Sequence, residues 1–324
     1  MKHILSCKVS NQIELLYAKT CLKNLFKSHH AADKAFLELA TMELGTNLLK
    51  YGGGGYLWFL LAKETLCIAS VDYGRGIENI NIAKQKGYSS QEEKSLGLGL
   101  FTLCAHEAYQ FDIISFSEQN GDAYTGSVFV LFEKTAVLDV MCSLSFSLYD
   151  SHHNGDFFTQ KGRYLFFGDV SGHGKKAALA AKEIINYFYE TTFSAVAIEH
   201  YFKTLHHYLL DKSLRSFVGC IVEVTEKSWC VFGVGNIALL SNQSGKYESF
   251  SLPDGIIGET FRHISTLHFD RGSTSRLLLM SDGIDQKIAL DIVQKVDTVA
   301  KESLMIAILH FAGVHDDKTI TILS

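Results

Sequence analysis

Four aspartate positions in the second half of the chain stand beside apolar, strand-like runs, in loops that carry glycine or a second acid. They are NGDFF (Asp156), FGDVSGHG (Asp169), MSDGID (Asp282) and HDDKT (Asp316 and Asp317). A single Asp–Gly pair is a turn. Four such places, each beside a strand, form a stronger constraint. Carboxylates that converge on one point repel one another and need cations to hold them together. Hard divalent ions such as Mg²⁺ or Mn²⁺ take oxygen ligands. Two of them, roughly 3.5–4 Å apart, clamp a phosphoryl group and lower the pKa of a shared water.

The first half carries a different pattern. A helix is expected over about 32–50, holding ELGTN, Glu43 to Asn47. At about 100° per residue, Glu43 and Asn47 fall one turn apart, inside the apolar stripe that Phe36, Ala40 and Leu44 define. Burying a carboxylate and an amide without partners is costly. Either the two bond internally or something binds them. DYGRGI (Asp72, Gly74, Gly76) closes an expected strand, and SLGLGL (Gly97, Gly99) opens an expected helix. Glycines admit close backbone approach, and a helix N-terminus offers free N–H groups to phosphate.

One proline in 324 residues leaves no Pro-rich linker, and no Gly/Ser-rich one stands out. Two closely joined domains are expected, with the boundary near Lys134–Val137. In the first, strands are expected at Tyr56–Leu61, Thr65–Asp72, Asp112–Ser117 and Ser127–Glu133, helices at about 11–27, 32–50 and 98–109, and a polar lid over 78–96. In the second, strands are expected at Val137–Leu148, Arg163–Val170, Phe217–Thr225, Ser228–Val234, Ile237–Ser241 and Arg276–Met280. Its helices are expected at about 175–193, 197–211 and 298–312.

A net charge of −5 argues against a general nucleic-acid or anionic-membrane binder. No apolar run approaches the roughly 20 residues of a membrane span. The N-terminal MKHILSCKVS lacks the apolar core and cleavage site of a signal peptide. Seven scattered cysteines without a CxxC pair fit reduced thiols and a cytoplasmic location.

In the order E-x3-N, D-x-G-x-G, G-x-G, the first-half motifs resemble the GHKL (HATPase_c) ATP-binding fold. Within it they are most similar to the RsbT-like anti-sigma-factor serine kinases, over residues 1–134, including the run from Tyr51 through four glycines and the Gly126-Ser127 step. The resemblance implies ATP and Mg²⁺ as cofactors. It makes Glu43 the general base for a serine hydroxyl and Asn47 the Mg²⁺ ligand. Asp72 accepts a hydrogen bond from the adenine amine, and Gly74, Gly76, Gly97 and Gly99 shape the phosphate loops. Catalysis of that kind is positioning and charge neutralisation. Lys94 and Arg75 are the cations near these loops, each with a solvated surface role as the alternative.

The second-half motifs resemble the SpoIIE/RsbX branch of metal-dependent, protein phosphatase type 2C-like serine/threonine phosphatases. GDVSGHG (168–174) is the most specific piece, with GVGNI (233–237) and Ile256-Ile257-Gly258 alongside. The resemblance implies two Mn²⁺ or Mg²⁺ ions held by Asp156, Asp169, Asp282 and Asp316, with the Val170 carbonyl assisting and Asp169 and Asp282 central to catalysis. Asp317 is the competing choice for Asp316. His173 is either a proton donor or loop packing, His152-His153 a solvated pair or a zinc site, and His206-His207 structural.

Together these imply an α/β (α+β) chain: a GHKL-type α/β sandwich over 1–134 and a type 2C phosphatase-like αββα sandwich over 135–324. The implied function is a bacterial switch that adds and removes phosphate on serine or threonine of a STAS-domain anti-anti-sigma or stressosome partner. The alternatives are a phosphatase gated by a non-catalytic ATP- or partner-binding module, and a direct anti-sigma factor that binds a sigma subunit. A homodimer stays open.

Overall fold

The computed structural model describes residues 1–85, 99–136, 141–147, 153–193, 198–242, 245–272, 275–296 and 298–324. The chain forms two compact units, residues 1–138 with 298–310, and residues 139–297 with 311–324.

The first unit opens with β1 (Lys2–Val9), α1 (Gln12–Leu25) and α2 (Lys34–Lys50). Short polar residues start both helices. Asn11 Oδ1 accepts the Glu14 N–H, and Asp33 Oδ1 accepts the Phe36 N–H. There follow β2 (Gly55–Ala62), β3 (Thr65–Asp72), short α3 (Ile80–Ala83), α4 (Gly99–Ala105), β4 (Tyr109–Phe116) and β5 (Gly126–Glu133). The strands make one antiparallel sheet in the order β1-β2-β3-β5-β4. Leu57, Phe59, Leu66, Ile68, Phe111 and Ile113 face α1 and α2, meeting Leu15, Leu22, Leu37 and Leu44. Successive strand residues point to opposite faces, so Trp58, Leu60, Cys67, Ala69, Ile114 and Phe116 point the other way, and all are buried. A strand apolar on both faces needs cover on both.

The second unit is a stacked pair of five-stranded sheets. The first contains β7 (Phe157–Lys161), β8 (Tyr164–Val170), β9 (Phe217–Val224), β10 (Ser228–Val234) and β13 (Ser265–Asp270), in the order β13-β10-β9-β8-β7. The second contains β6 (Met141–Phe146), β11 (Ala238–Asn242), β12 (Tyr247–Phe250), β14 (Arg276–Met280) and β15 (Lys318–Leu323), in the order β12-β11-β14-β15-β6. Leu165, Phe167, Val222 and Trp229 of one sheet pack with Leu239, Leu277, Leu279 and Leu323 of the other. On the outer face of the first sheet, Phe166 and Ile221 meet α5 (Lys175–Glu190) and α6 (Ile198–Asp211) through Ala177, Ile184, Phe188 and Phe202. Helix α7 (Gln286–Val296) packs beside β12.

Helix α8 (Lys301–Phe311) is buried around its whole circumference. Its residues through His310 pack in the first unit, although the sequence reading placed 298–312 in the second. The reason is the apolar second face of the first unit's sheet. Ser303 Oγ donates to Asp112 Oδ2 on β4 at 2.6 Å, and His310 reaches β3. The expected boundary at 134–137 accordingly falls at 138/139, and the first unit is discontinuous in sequence.

Several elements escaped the sequence reading: β7, β12, β13, β15 and α7. Helix α4 ends at Ala105 instead of continuing to 109, and of the expected 78–96 lid only α3 and its flanks lie within the described residues. No helix among the described residues is long and apolar enough to cross a membrane. None of the seven cysteines forms a disulfide.

Candidate functional site

In the first unit a cavity of about 480 Å³ opens between α2, the end of β3 and α4. Glu43, Asn47, Asp72, Arg75, Gly76 and Gly99 all line it. Of the motif residues named from sequence, Gly97 and Lys94 lie outside the described residues. Gly74 stands behind the wall. Its N–H donates to Asp72 Oδ1 at 2.8 Å, and a Cβ added there would press on the Tyr51 carbonyl. Thr46 and Lys50, which carried no sequence signal beyond their neighbourhood, also line the cavity, as does Ser127 of the Gly126-Ser127 step.

The expected placement of Glu43 and Asn47 inside the apolar stripe needs correction. Leu37, Ala40, Thr41, Leu44 and Leu48 form the buried stripe of α2, while Glu43 and Asn47 are only half-buried. They flank the stripe and face the cavity. Gly99 explains part of the geometry. A Cβ there would overlap the Glu43 carboxylate, so glycine permits that carboxylate to lie against the start of α4. Gly76 has φ of +73°, and a Cβ there would collide with the Phe116 carbonyl.

Asp72 is 6% exposed at the end of β3. Burial pushes its carboxyl up from 3.8 to about 6, against the opposing effect of N–H groups donated by Gly74 and Ser127. It is a carboxylate held by backbone at the wall of a cavity. An ionised carboxylate there is an acceptor for a ligand N–H, and Glu43 with Asn47 offers oxygen ligands for a divalent cation.

In the second unit, strand ends from both sheets bring the acids together. The β7–β8 register pairs Phe157 with Gly168, which brings Asp156 alongside Asp169. A Cβ on Gly168 would overlap the Phe157 ring, so this pairing requires glycine there. From the other sheet, Ser281 and Asp282 follow β14, and Asp317 precedes β15. The Asp156 and Asp169 carboxyls act on one another, as do those of Asp169 and Asp282. Asn236 Nδ2 donates to Asp282 Oδ2 at 3.2 Å. Gly155 N–H donates to Asp317 Oδ2 at 2.8 Å.

Asp316, chosen from sequence as the fourth ligand, is exposed, and its Oδ1 accepts the Asp317 N–H. Asp317 is 5% exposed, and its charge acts on Asp156. The structure therefore puts Asp317, not Asp316, with the other acids. The Val170 carbonyl faces Gly155.

Burial raises the carboxyl pKa of both Asp156 and Asp169. Asp169 is raised further by the neighbouring Asp156 and Asp282 carboxylates. Among the described residues no three acid, His or Cys side chains already converge as metal ligands; the contacts are pairwise. The donor set is nonetheless all oxygen, crowded and mutually repulsive, and it fits a hard divalent cation in place of the shared protons.

Ser281 and Asn236 were not named as individual site residues from sequence. Ser281 is fully buried and donates to Asp156 Oδ2 at 2.6 Å. His173 is exposed between Gly172 and Gly174, both at positive φ. Arg215 Nη1 donates to the Ser171 carbonyl at 2.6 Å and braces that loop. His206 Nδ1 accepts the Gly258 N–H at 2.9 Å, a structural role. His152 lies outside the described residues, and His153 is exposed.

A model of the family described as stage II sporulation protein E (SpoIIE) matches residues 160–321, half of the 324-residue chain. No curated protein matches. Solved structures similar to the chain include one from work on the bacterial stressosome as a modular system adapted to control secondary messenger signalling. It is 20% identical, covering 57% of this chain and 98% of that one, with a TM-score of 0.48. RsbX in complex with magnesium is 16% identical, covering 57% and 94%, with a TM-score of 0.46. PppA, a regulatory component of T6SS in Pseudomonas aeruginosa, is 13% identical, covering 57% and 97%, with a TM-score of 0.47.

Proposed function

The chain belongs to the stage II sporulation protein E (SpoIIE) family, and from that premise we propose that its second unit is a divalent-metal-dependent phosphatase acting on phosphoserine or phosphothreonine in a protein. The observation that carries the reading is the run of contacts Asp156–Asp169–Asp282, with buried Asp317 beside Asp156. Asp156, Asp169, Asp282 and Asp317 would hold Mn²⁺ or Mg²⁺. A bound divalent ion supplies charge neutralisation for the phosphoryl group and lowers the pKa of its water. The chain's own groups position the acids: Ser281 holds Asp156, Asn236 holds Asp282, and the Gly155 N–H holds Asp317. The test is hydrolysis of a phosphoserine peptide with Mn²⁺, which chelator and either Asp169→Asn or Asp282→Asn abolish. Unchanged turnover in those variants contradicts the assignment.

The first unit, on the same reading, binds ATP with Mg²⁺ and phosphorylates serine or threonine of a STAS-domain anti-anti-sigma or stressosome partner. Glu43 beside Gly99 supports this, because binding ATP alone requires no carboxylate positioned as a base. Glu43 would take the hydroxyl proton, Asn47 would hold Mg²⁺, and Asp72 would accept from the adenine amine. Incubation with labelled ATP and STAS-domain proteins tests it. Label on the partner, lost in Glu43→Ala while phosphatase turnover persists, is the expected result. ATP binding without transfer supports the gating module instead.

A further inference from the structure

Helix α8 lies against the face of the first unit's sheet opposite α1 and α2. At its far end, buried His310 donates its Nε2–H to the Asp72 main-chain carbonyl at 2.7 Å. A carbonyl only accepts, so this contact fixes the proton on Nε2. Tyr73, the next residue along the strand, returns the contact. Its hydroxyl donates to the His310 carbonyl at 2.7 Å, and its ring lies over the imidazole at 4.2 Å between centroids. Trp58 meets the same imidazole edge-on at 6.3 Å. At the other end Ser303 is bonded to Asp112. The helix is thus tied to the sheet at both ends, and one tie is the residue whose carboxylate lines the cavity.

Resting on the nucleotide reading of that cavity, we propose that His310 is a positioning residue for adenine recognition. The side chain of Asp72 lies on the α2 face of the sheet and its carbonyl is gripped by α8. Beyond Asp72 the chain turns at once through Gly74 and Gly76, a segment poor in side-chain packing. The His310 and Tyr73 contacts fix the end of β3, and with it the distance between the Asp72 carboxylate and a base in the cavity. Discrimination follows from chemistry. Adenine presents an amine that donates to the carboxylate, whereas guanine presents a carbonyl at the same position, which repels it. The site is therefore built from segments 238 positions apart, and residues 1–138 alone lack a part of it.

The test is equilibrium titration of the full chain with fluorescent ADP and GDP analogues. His310→Phe keeps a ring and removes the donor. It is expected to weaken ADP binding about tenfold and to reduce the preference for ADP over GDP by the same factor, with GDP affinity within about twofold of wild type. His310→Gln keeps a donor and restores ADP binding to within about threefold. If His310→Phe does not fold, Tyr73→Phe decides, with an expected loss of about threefold in the same preference. An unchanged preference in His310→Phe, or in Tyr73→Phe where that variant decides, overturns the inference. So does equal impairment of the Phe and Gln variants, which signals packing alone. Wild-type protein that binds neither nucleotide overturns the nucleotide reading itself. Wild-type binding that ignores His310 overturns only this inference.

Discussion

Ser281 Oγ donates a 2.6 Å hydrogen bond to Asp156 Oδ2 while accepting the Thr319 N–H at 2.9 Å. The two residues belong to different sheets of the sandwich, so one buried hydroxyl sets the position of a carboxylate across the core. Ser281→Ala leaves Asp156 without that donor. The expected cost is about 1–3 kcal/mol of stability in urea denaturation, with weaker Mn²⁺ affinity. Wild-type values for both would show that Asp156 is held elsewhere.

Asp317 and Asp316 separate cleanly. Asp317 is buried among the acids, and Asp316 is exposed and caps a neighbouring N–H. Asp317→Asn is expected to lower Mn²⁺ affinity at least tenfold, about 1.4 kcal/mol, and Asp316→Asn by less than threefold. Calorimetric titration of the two variants reads this directly. The reverse order would restore Asp316 as the ligand.

The Asp72 carboxyl carries a pH signature. Its folded pKa is raised from 3.8 to about 6, so the folded state binds its proton more tightly than the unfolded chain does. Without ligand, this group's contribution to stability is full at acid pH and is lost as pH rises from about 4 through about 6. On the proposed nucleotide reading, adenine binding needs the ionised acceptor, so it runs the opposite way and is expected to weaken as pH falls through about 6. Asp72→Asn flattens both profiles. A nucleotide affinity flat from pH 5 to 8 in the wild type would separate Asp72 from the base.

Gly99→Ala places a methyl group on the Glu43 carboxylate. Alanine favours the helix by about 1 kcal/mol over glycine, so loss of fold is not the expected result. The expected result is at least a tenfold loss of phosphoryl transfer from ATP, read on a STAS-domain acceptor. Full transfer by this variant would show that Glu43 acts from another position.

Much of the fold was legible because buried strands are written plainly. β3, β10 and β14 run over the residues that their apolar runs indicate. Two strands that escaped are short and carry no clean alternation, β7 (FFTQK) and β12 (YESF), whereas β13 (STLHFD) and β15 (KTITIL) alternate over only six residues each. The helix at 301–311 was legible as a helix but not in its unit. KESLMIAILHF is apolar on most of its sides, which signals burial without naming what covers it. The acids behave likewise. Asp156, Asp169 and Asp282 stood out through glycine and strand context, while the choice between Asp316 and Asp317 rests on which way a single residue points. The Ser281 and His310 contacts had no sequence signal, because each joins segments more than a hundred positions apart.

The measurement that tests the central claim most directly is Mn²⁺-dependent release of phosphate from a phosphoserine peptide, compared between the wild-type chain and Asp169→Asn. Asp169 touches both Asp156 and Asp282 and is the hub of the cluster. The predicted result is turnover that requires Mn²⁺, stops with chelator and falls by at least a hundredfold, about 2.7 kcal/mol, in the variant. Equal turnover by both proteins, or turnover that persists in chelator, would contradict it.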